Sequence, residues 1–109
     1  MVKALILIGR QEGTTPEAFT RHFDDTHRSL VANLPGLRRF VVNRVLPDPN
    51  GPPPAYDLVA EDWFDDPAAM AAAFASPEGQ AVLADAPNFL DLSRLQILVV
   101  AEEEVPVTM

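Results

Sequence analysis

The sequence predicts a single α+β domain of order βαββαβ, in which a four-stranded antiparallel sheet carries its helices on one face. Three observations carry this prediction. Four short segments rich in β-forming residues recur along the chain, at residues 2–10, 37–46, 56–64 and 95–101. Helical patterns stand between the first and second of them and between the third and fourth. The eleven prolines avoid every periodic segment, and three of them, Pro16, Pro67 and Pro77, fall where a helix would begin.

In chain order, residues 2–10 (VKALILIGR) are a short β-rich run closed by a polar stretch containing Gly13. Thr15 then has the chemistry of an N-cap, with Pro16 at the first helical position and Glu17 near the positive end of the helix dipole. Thr14 with Glu17 would instead make a capping box, which leaves the boundary open by one residue. Phe19, Phe23, Leu30 and Leu34 recur at helical spacing and fall within an arc of roughly 60°, a single apolar stripe. Pro35-Gly36 ends this helix ahead of the second strand, residues 37–46 (LRRFVVNRVL). The proline-rich residues 47–54 lack the N–H donors of a sheet and make a stiff loop before the third strand, residues 56–64. Asp66 and Pro67 fit the N-cap and first position of an alanine-rich helix through Ala75, and Ser76 and Pro77 restart a short helix toward Ala84. Residues 95–101 (LQILVVA) form the last strand, and the acidic tail 102–109 has too few apolar residues to fold alone. Without repeat or linker, residues 1–109 read as one domain in the ferredoxin-like arrangement.

Charge and composition remove several function classes. Sixteen acidic residues against eight Lys and Arg leave a formal charge of -8, which opposes binding to phosphates, so neither nucleic acid nor an anionic membrane is expected as a partner. Zero cysteines exclude disulfides, thiol nucleophiles and cysteine-type metal sites, and fit a cytoplasmic location. The N-terminal apolar run, residues 4–8, is too short for a signal peptide, and no 18-residue uncharged stretch offers a membrane span. Nucleotide-binding glycine loops and the serine-hydrolase elbow are absent from the sequence.

A sheet covered on one face alternates apolar and polar residues, yet residues 4–8 (ALILI) and 97–101 (ILVVA) are apolar at both parities. Both faces therefore call for burial. Two helices cover one of them, and a second copy of the chain, sheet against sheet across a two-fold axis, is the expected cover for the other. The alternative, a tail folded over that face, has only Val105, Pro106, Val107 and Met109 to offer.

His22-Phe23, His27, Leu30, Pro35-Gly36-Leu37, residues 57–65 (DLVAEDWFD), Ser76-Pro77-Glu78-Gly79 and Asn88-Phe89-Leu90-Asp91 together resemble the EthD domain family, within the dimeric α/β-barrel superfamily. The resemblance runs from the first strand to the last. It implies a homodimer whose sheets pair into a barrel, with a small-molecule pocket in each subunit between sheet and helices. The family's role is poorly defined. Its namesake is associated with bacterial ether degradation, and relatives in the wider superfamily include cofactor-independent monooxygenases, lactone isomerases, polyketide cyclases and dehydratases. The resemblance also implies a histidine after Asn43, where this chain has Arg44, a departure that weakens any mechanism needing two histidines.

His27 is the first candidate for catalysis, because it lies about 50° from the centre of the apolar stripe, where its ring reaches the sheet as a general acid or base. A core-edge histidine bonded to a backbone carbonyl is the plainer alternative. His22 lies about 90° from the stripe and would flank the pocket or face solvent. Five residues apart, the two rings point about 140° from one another on an α-helix, so no shared metal is expected. Asp57, Val59, Glu61 and Trp63 share one face of the third strand, opposite Leu58, Ala60 and Asp62. If that face meets the helices, Glu61 would bond and orient His27. If it meets a second subunit, Glu61 would pair with an arginine such as Arg44 or Arg38. Phe23, Asn43, Tyr56 and Trp63 would shape the cavity. The acidic pairs Asp24-Asp25 and Asp65-Asp66 read as a solvated helix face and as helix caps.

The expected function is a small catabolic enzyme without a tightly held cofactor, acting on a small apolar or aromatic carbonyl compound by oxidation or by acid-base isomerisation, dehydration or cyclisation. His27 would move the proton, with Glu61 or Asp57 orienting it. Two rivals stand beside it: a non-catalytic binding or accessory protein serving an oxygenase, and a structural dimer with a closed core and no cavity.

Overall fold

A computed structural model describes residues 1–108. The strands are β1 (Val2–Ile8), β2 (Arg39–Arg44), β3 (Leu58–Phe64) and β4 (Gln96–Val100). All three pairings are antiparallel, in the order β2-β3-β1-β4. Each strand lies inside its expected segment and is two to four residues shorter.

The first helical region is α1 (Pro16–His22), a π-helical turn (Phe23–His27) and α2 (Arg28–Ala32). Right-handed helical backbone angles at the joints make the three pieces continuous. Thr15 is the cap, its hydroxyl accepting from the Ala18 N–H at 3.1 Å. Gly36, at φ 78°, takes the left-handed turn that follows the helix end. On the other side of the sheet's crossover come α3 (Pro67–Ala75) and α4 (Pro77–Asp85), each opened by the expected cap. The Asp66 carboxylate accepts from the Ala69 N–H at 2.7 Å, and the Ser76 hydroxyl from the Gly79 N–H at 3.1 Å.

Gly79 marks where α3 and α4 meet most closely. A Cβ there would collide with the carbonyl oxygens of both Ala73 and Phe74. Gly79→Ala is expected to destabilise the fold by about 1–3 kcal/mol through overpacking. The measurement is a lower urea midpoint at unchanged m-value, and an unchanged midpoint would show that the two carbonyls can move aside.

The register assigns the two faces. Ala4, Ile6 and Ile8 of β1 and Leu58, Ala60, Asp62 and Phe64 of β3 meet the helices, while Lys3, Leu5, Leu7, Val59, Glu61 and Trp63 lie on the opposite, open face. Leu98 of β4, paired with Leu5, is on that open face and 51% exposed. Residues 101–108 are exposed and do not cover it.

Beneath the helices the core has two halves. One gathers Ile8, Phe19, Phe23, Leu58, Phe89 and Leu90, and the other Ala4, Val31, Leu34, Phe64, Met70 and Val82. They do not close on each other. A cavity of about 200 Å³ lies between sheet and helices, lined from both halves, which removes the rival reading of a closed core with no cavity.

Candidate functional site

The lining of this cavity is apolar except for two side chains, His27 and Asp62. Phe23, Val31, Met70 and Val82 reach it from the helices, Ala4 and Phe40 from the sheet. Both polar residues are buried, with His27 5% and Asp62 1% exposed.

His27 stands at the end of the π turn, and that turn decides its company. An i→i+5 hydrogen bond, Arg28 N–H to the Phe23 carbonyl, stacks residues five apart on one face. His22 and His27 therefore do not diverge by the angle that α-helical spacing predicts. They converge on one carboxylate, Asp85, at the end of α4. The His27 Nδ1–H donates to Asp85 Oδ2 at 2.9 Å, and His22 Nε2 lies 3.0 and 2.9 Å from the two Asp85 oxygens. Asn88 donates to Oδ1 at 3.1 Å, which completes the clamp. Phe89 packs against both imidazoles, its centroid 4.7 Å from His22 and 4.8 Å from His27.

Burial lowers the His27 pKa below its usual value against the opposing pull of Asp85. Burial pulls Asp85 upward, but the hydrogen bonds from His22, His27 and Asn88 outweigh it and hold the carboxyl below its ordinary range. The pair is thus a neutral imidazole beside an ionised carboxylate. With Nδ1 donating, Nε2 keeps its lone pair, and among the described residues it has no hydrogen-bond partner.

Asp62 differs in kind. Phe40 and Ala4 flank it across the sheet, and neither carboxyl oxygen has a partner among the described residues. Burial alone pushes its pKa to about 7.

The other expected site residues lie elsewhere. Glu61 is on the open face, where it bonds Lys3 at 2.7 Å and Asn43 at 3.0 Å. It does not orient His27, and within the chain Arg44 and Arg38 hold Asp24 and Asp65. The reason is the pleat, which sends odd residues of β3 away from the helices. Asn43 also faces that side and donates to the Val59 carbonyl at 3.0 Å. Asp57 is held beyond the end of β3 by the Arg10 backbone N–H at 2.9 Å and the Arg10 guanidinium at 3.0 Å. Trp63 packs between Arg39 and Lys3, at 4.5 and 4.8 Å, and neither it nor Tyr56 lines the cavity. Of the expected set, His27 and Phe23 reach the cavity and His22 joins His27 through Asp85.

Asp85 and Asp62 are the additions. A signal for each stood in the sequence. Val82, Asp85 and Phe89 recur at helical spacing, so a carboxylate sits in a buried stripe, and Asp62 shares the parity of Leu58, Ala60 and Phe64.

Comparison with known proteins places these features in a family. A curated relative from Rhodococcus erythropolis, described as an uncharacterized 11.0 kDa protein in the thcB-thcC intergenic region, is 40% identical over 74 residues, 68% of this chain and 71% of its own. The crystal structure of an ethyl tert-butyl ether D (EthD) family protein from Bacillus halodurans is 30% identical and superposes with a TM-score of 0.80, covering 94% of this chain and 100% of its own. A dimeric ferredoxin-like protein of unknown function from Thermobifida fusca is 19% identical with a TM-score of 0.71, over 93% and 90% of the two chains. SnoaB, a cofactor-independent oxygenase from Streptomyces nogalater, is 16% identical with a TM-score of 0.68, over 95% and 94%. The last two are likenesses of fold. Residues 11–93 match the EthD domain, a span that takes in the π turn, the Asp85 clamp and most of the cavity, and the chain belongs to the EthD domain family.

Proposed function

We propose that this protein is a small acid-base enzyme in which His27 removes a proton from the carbon beside a carbonyl group of a small apolar or aromatic compound. The observation that carries the reading is the His27 imidazole, oriented by Asp85 through Nδ1, lining an apolar cavity with its Nε2 unpartnered among the described residues. A base kept neutral by burial is ready to accept a proton at ordinary pH, and Asp85 stabilises the imidazolium that results. An apolar cavity of 150 Å³ takes up benzene, so about 200 Å³ suits a compound built on one ring.

The electron pair of the broken C–H bond moves onto the carbonyl oxygen, giving an enolate. Reprotonation at another atom is isomerisation, loss of a neighbouring hydroxyl as water is dehydration, and attack on a second carbonyl is ring closure. Oxygenation would begin with the same step and take dioxygen as co-substrate, the outcome to which the description of SnoaB points.

Acetophenone is a suitable probe. In D2O the wild-type protein is expected to exchange its methyl protons faster than buffer alone, read by loss of the methyl proton NMR signal. Binding without exchange would replace the enzyme by a non-catalytic carrier or accessory protein, and absence of binding would remove the site. Asp85→Asn keeps the shape of the clamp but not its charge, and is expected to slow exchange about ten- to a hundredfold with acetophenone affinity unchanged. An unchanged rate would show that Asp85 serves the fold alone.

The chain is proposed to act as a homodimer. Leu98, Leu5, Leu7 and Val59 form an apolar surface on the open face, which the tail leaves uncovered, and the Thermobifida fusca relative is described as dimeric. Leu98→Glu is expected to shift sedimentation from dimer to monomer at micromolar concentration. A wild-type protein that sediments as a monomer would end this part of the reading.

A further inference from the structure

We infer that Asp62 is a neutral carboxylic acid that donates a hydrogen bond to the carbonyl oxygen of the ligand, and so sets which compounds the cavity accepts. Among the described residues Asp62 is the most deeply buried of charged type, and neither of its carboxyl oxygens has a partner there. A polar side chain in that position is unfavourable for folding unless something satisfies it. Nothing in β1, β2 or the helices does so: the residues around it that line the cavity are apolar, and the one other ionisable group there is His27, already committed to Asp85. Both carboxyl oxygens are closed off from the cavity as well, so a partner coming from it, the one direction left, reaches them once the Asp62 side chain turns toward it.

The chemistry of that partner follows. Burial holds the Asp62 carboxyl protonated up to about pH 7. A protonated carboxyl presents one O–H donor, and an apolar site is where a carboxylic acid keeps its proton and serves as a donor to a developing enolate oxygen. With that turn of Asp62, the cavity has two polar poles in an apolar wall, a lone pair at His27 and an O–H at Asp62. A ketone or aldehyde with an adjacent C–H presents the complementary pair. A hydrocarbon of the same shape does not. The inference rests on the proposed use of the cavity as a ligand site, and it adds the group that recognises oxygen.

The test compares two probes of matched shape, acetophenone and isopropylbenzene, in wild type, Asp62→Leu and Asp62→Asn. The quantity read is the ratio of their affinities, because the hydration of each free probe cancels between variants. Relative to wild type at pH 6, Asp62→Leu is expected to shift the ratio at least about tenfold toward isopropylbenzene, the loss of one buried hydrogen bond. Asp62→Asn, whose amide still donates, is expected to hold the ratio within about threefold. Raising the pH to 9 removes the donor and should produce the same shift in wild type but not in Asp62→Asn.

A ratio unchanged in Asp62→Leu, or an equal response to pH in wild type and Asp62→Asn, overturns the role given to Asp62 while leaving the cavity a ligand site. Failure of both probes to bind any of the three proteins overturns the ligand site and this inference together. Asp62→Asn also guards against misreading a folding defect, since it retains both the shape and the donor.

Discussion

Replacing His27 by alanine is expected to slow proton exchange of acetophenone by about 100- to 10,000-fold, the usual contribution of a positioned base. The proposed dimer should persist, because His27 is on the helix side and the open face of the sheet lies beyond the core from it. The pH dependence supplies a second readout. Burial lowers the pKa of His27 below its usual value in the folded protein. The base is active when neutral, so the wild-type rate should stay level as pH falls through 6.5 and decline only below that point. The same shift bears on stability: below the ordinary histidine range the unfolded chain takes up a proton before the folded one does, so the contribution of neutral His27 is present at neutral pH and is lost as the solution becomes acidic. Both the rate limb and the stability limb should be missing in His27→Ala. An exchange rate within a few-fold of wild type would end the assignment of His27 as the base.

Asp62→Leu is expected to stabilise the protein by about 4 kcal/mol more at pH 7.5 than at pH 3.5, both differences taken against wild type. The folded-state pKa is about 7, against 3.8 for the ordinary carboxyl. Between those values the unfolded chain has released the proton and the folded chain has kept it. The unfolded state binds fewer protons there, so wild-type stability falls as pH rises, by about 1.4 kcal/mol per unit over roughly three units. Below pH 3.8 both states are protonated and the effect disappears. Leucine has the branched outline of aspartate without its oxygens, and the neighbouring cavity has room for the extra bulk. Urea titration at the two pH values, at one protomer concentration, measures the difference. Equal stabilisation at both pH values would show that the Asp62 carboxyl is satisfied in solution. A residue that weakens its own fold in this way is characteristic of a site kept for function.

The course of the chain was legible because it is written in local chemistry. Thr15, Asp66 and Ser76 cap helices that prolines open, and Pro35-Gly36 closes the first. The apolar strands at both parities announced a sheet that one layer of helices cannot cover. His27 was legible too, as a histidine at the rim of an apolar stripe. Its partner was not. The rule that a carboxylate on a buried strand needs a counterpart left open whether Glu61 meets His27 or a second subunit, and the structure puts it on the open face. Which parity meets the helices is decided by how the sheet is covered, and alternation alone is silent on this. The convergence of His22 and His27 was hidden for another reason. Residue spacing on a helix assumes 3.6 residues per turn, and the π turn breaks that assumption just where the two rings must meet.

The sequence by itself determined the order of elements, the helix boundaries and the need for a second cover on the sheet, since each depends on neighbours within a few positions. Tertiary structure alone decided that Asp85, fifty-eight residues from His27 along the chain, holds its imidazole, and that Asp62 is left without a partner beside an open cavity. Both are outcomes of long-range packing. Whether a carboxylate is clamped, solvated or orphaned depends on which distant side chain arrives beside it, and no local pattern carries that information.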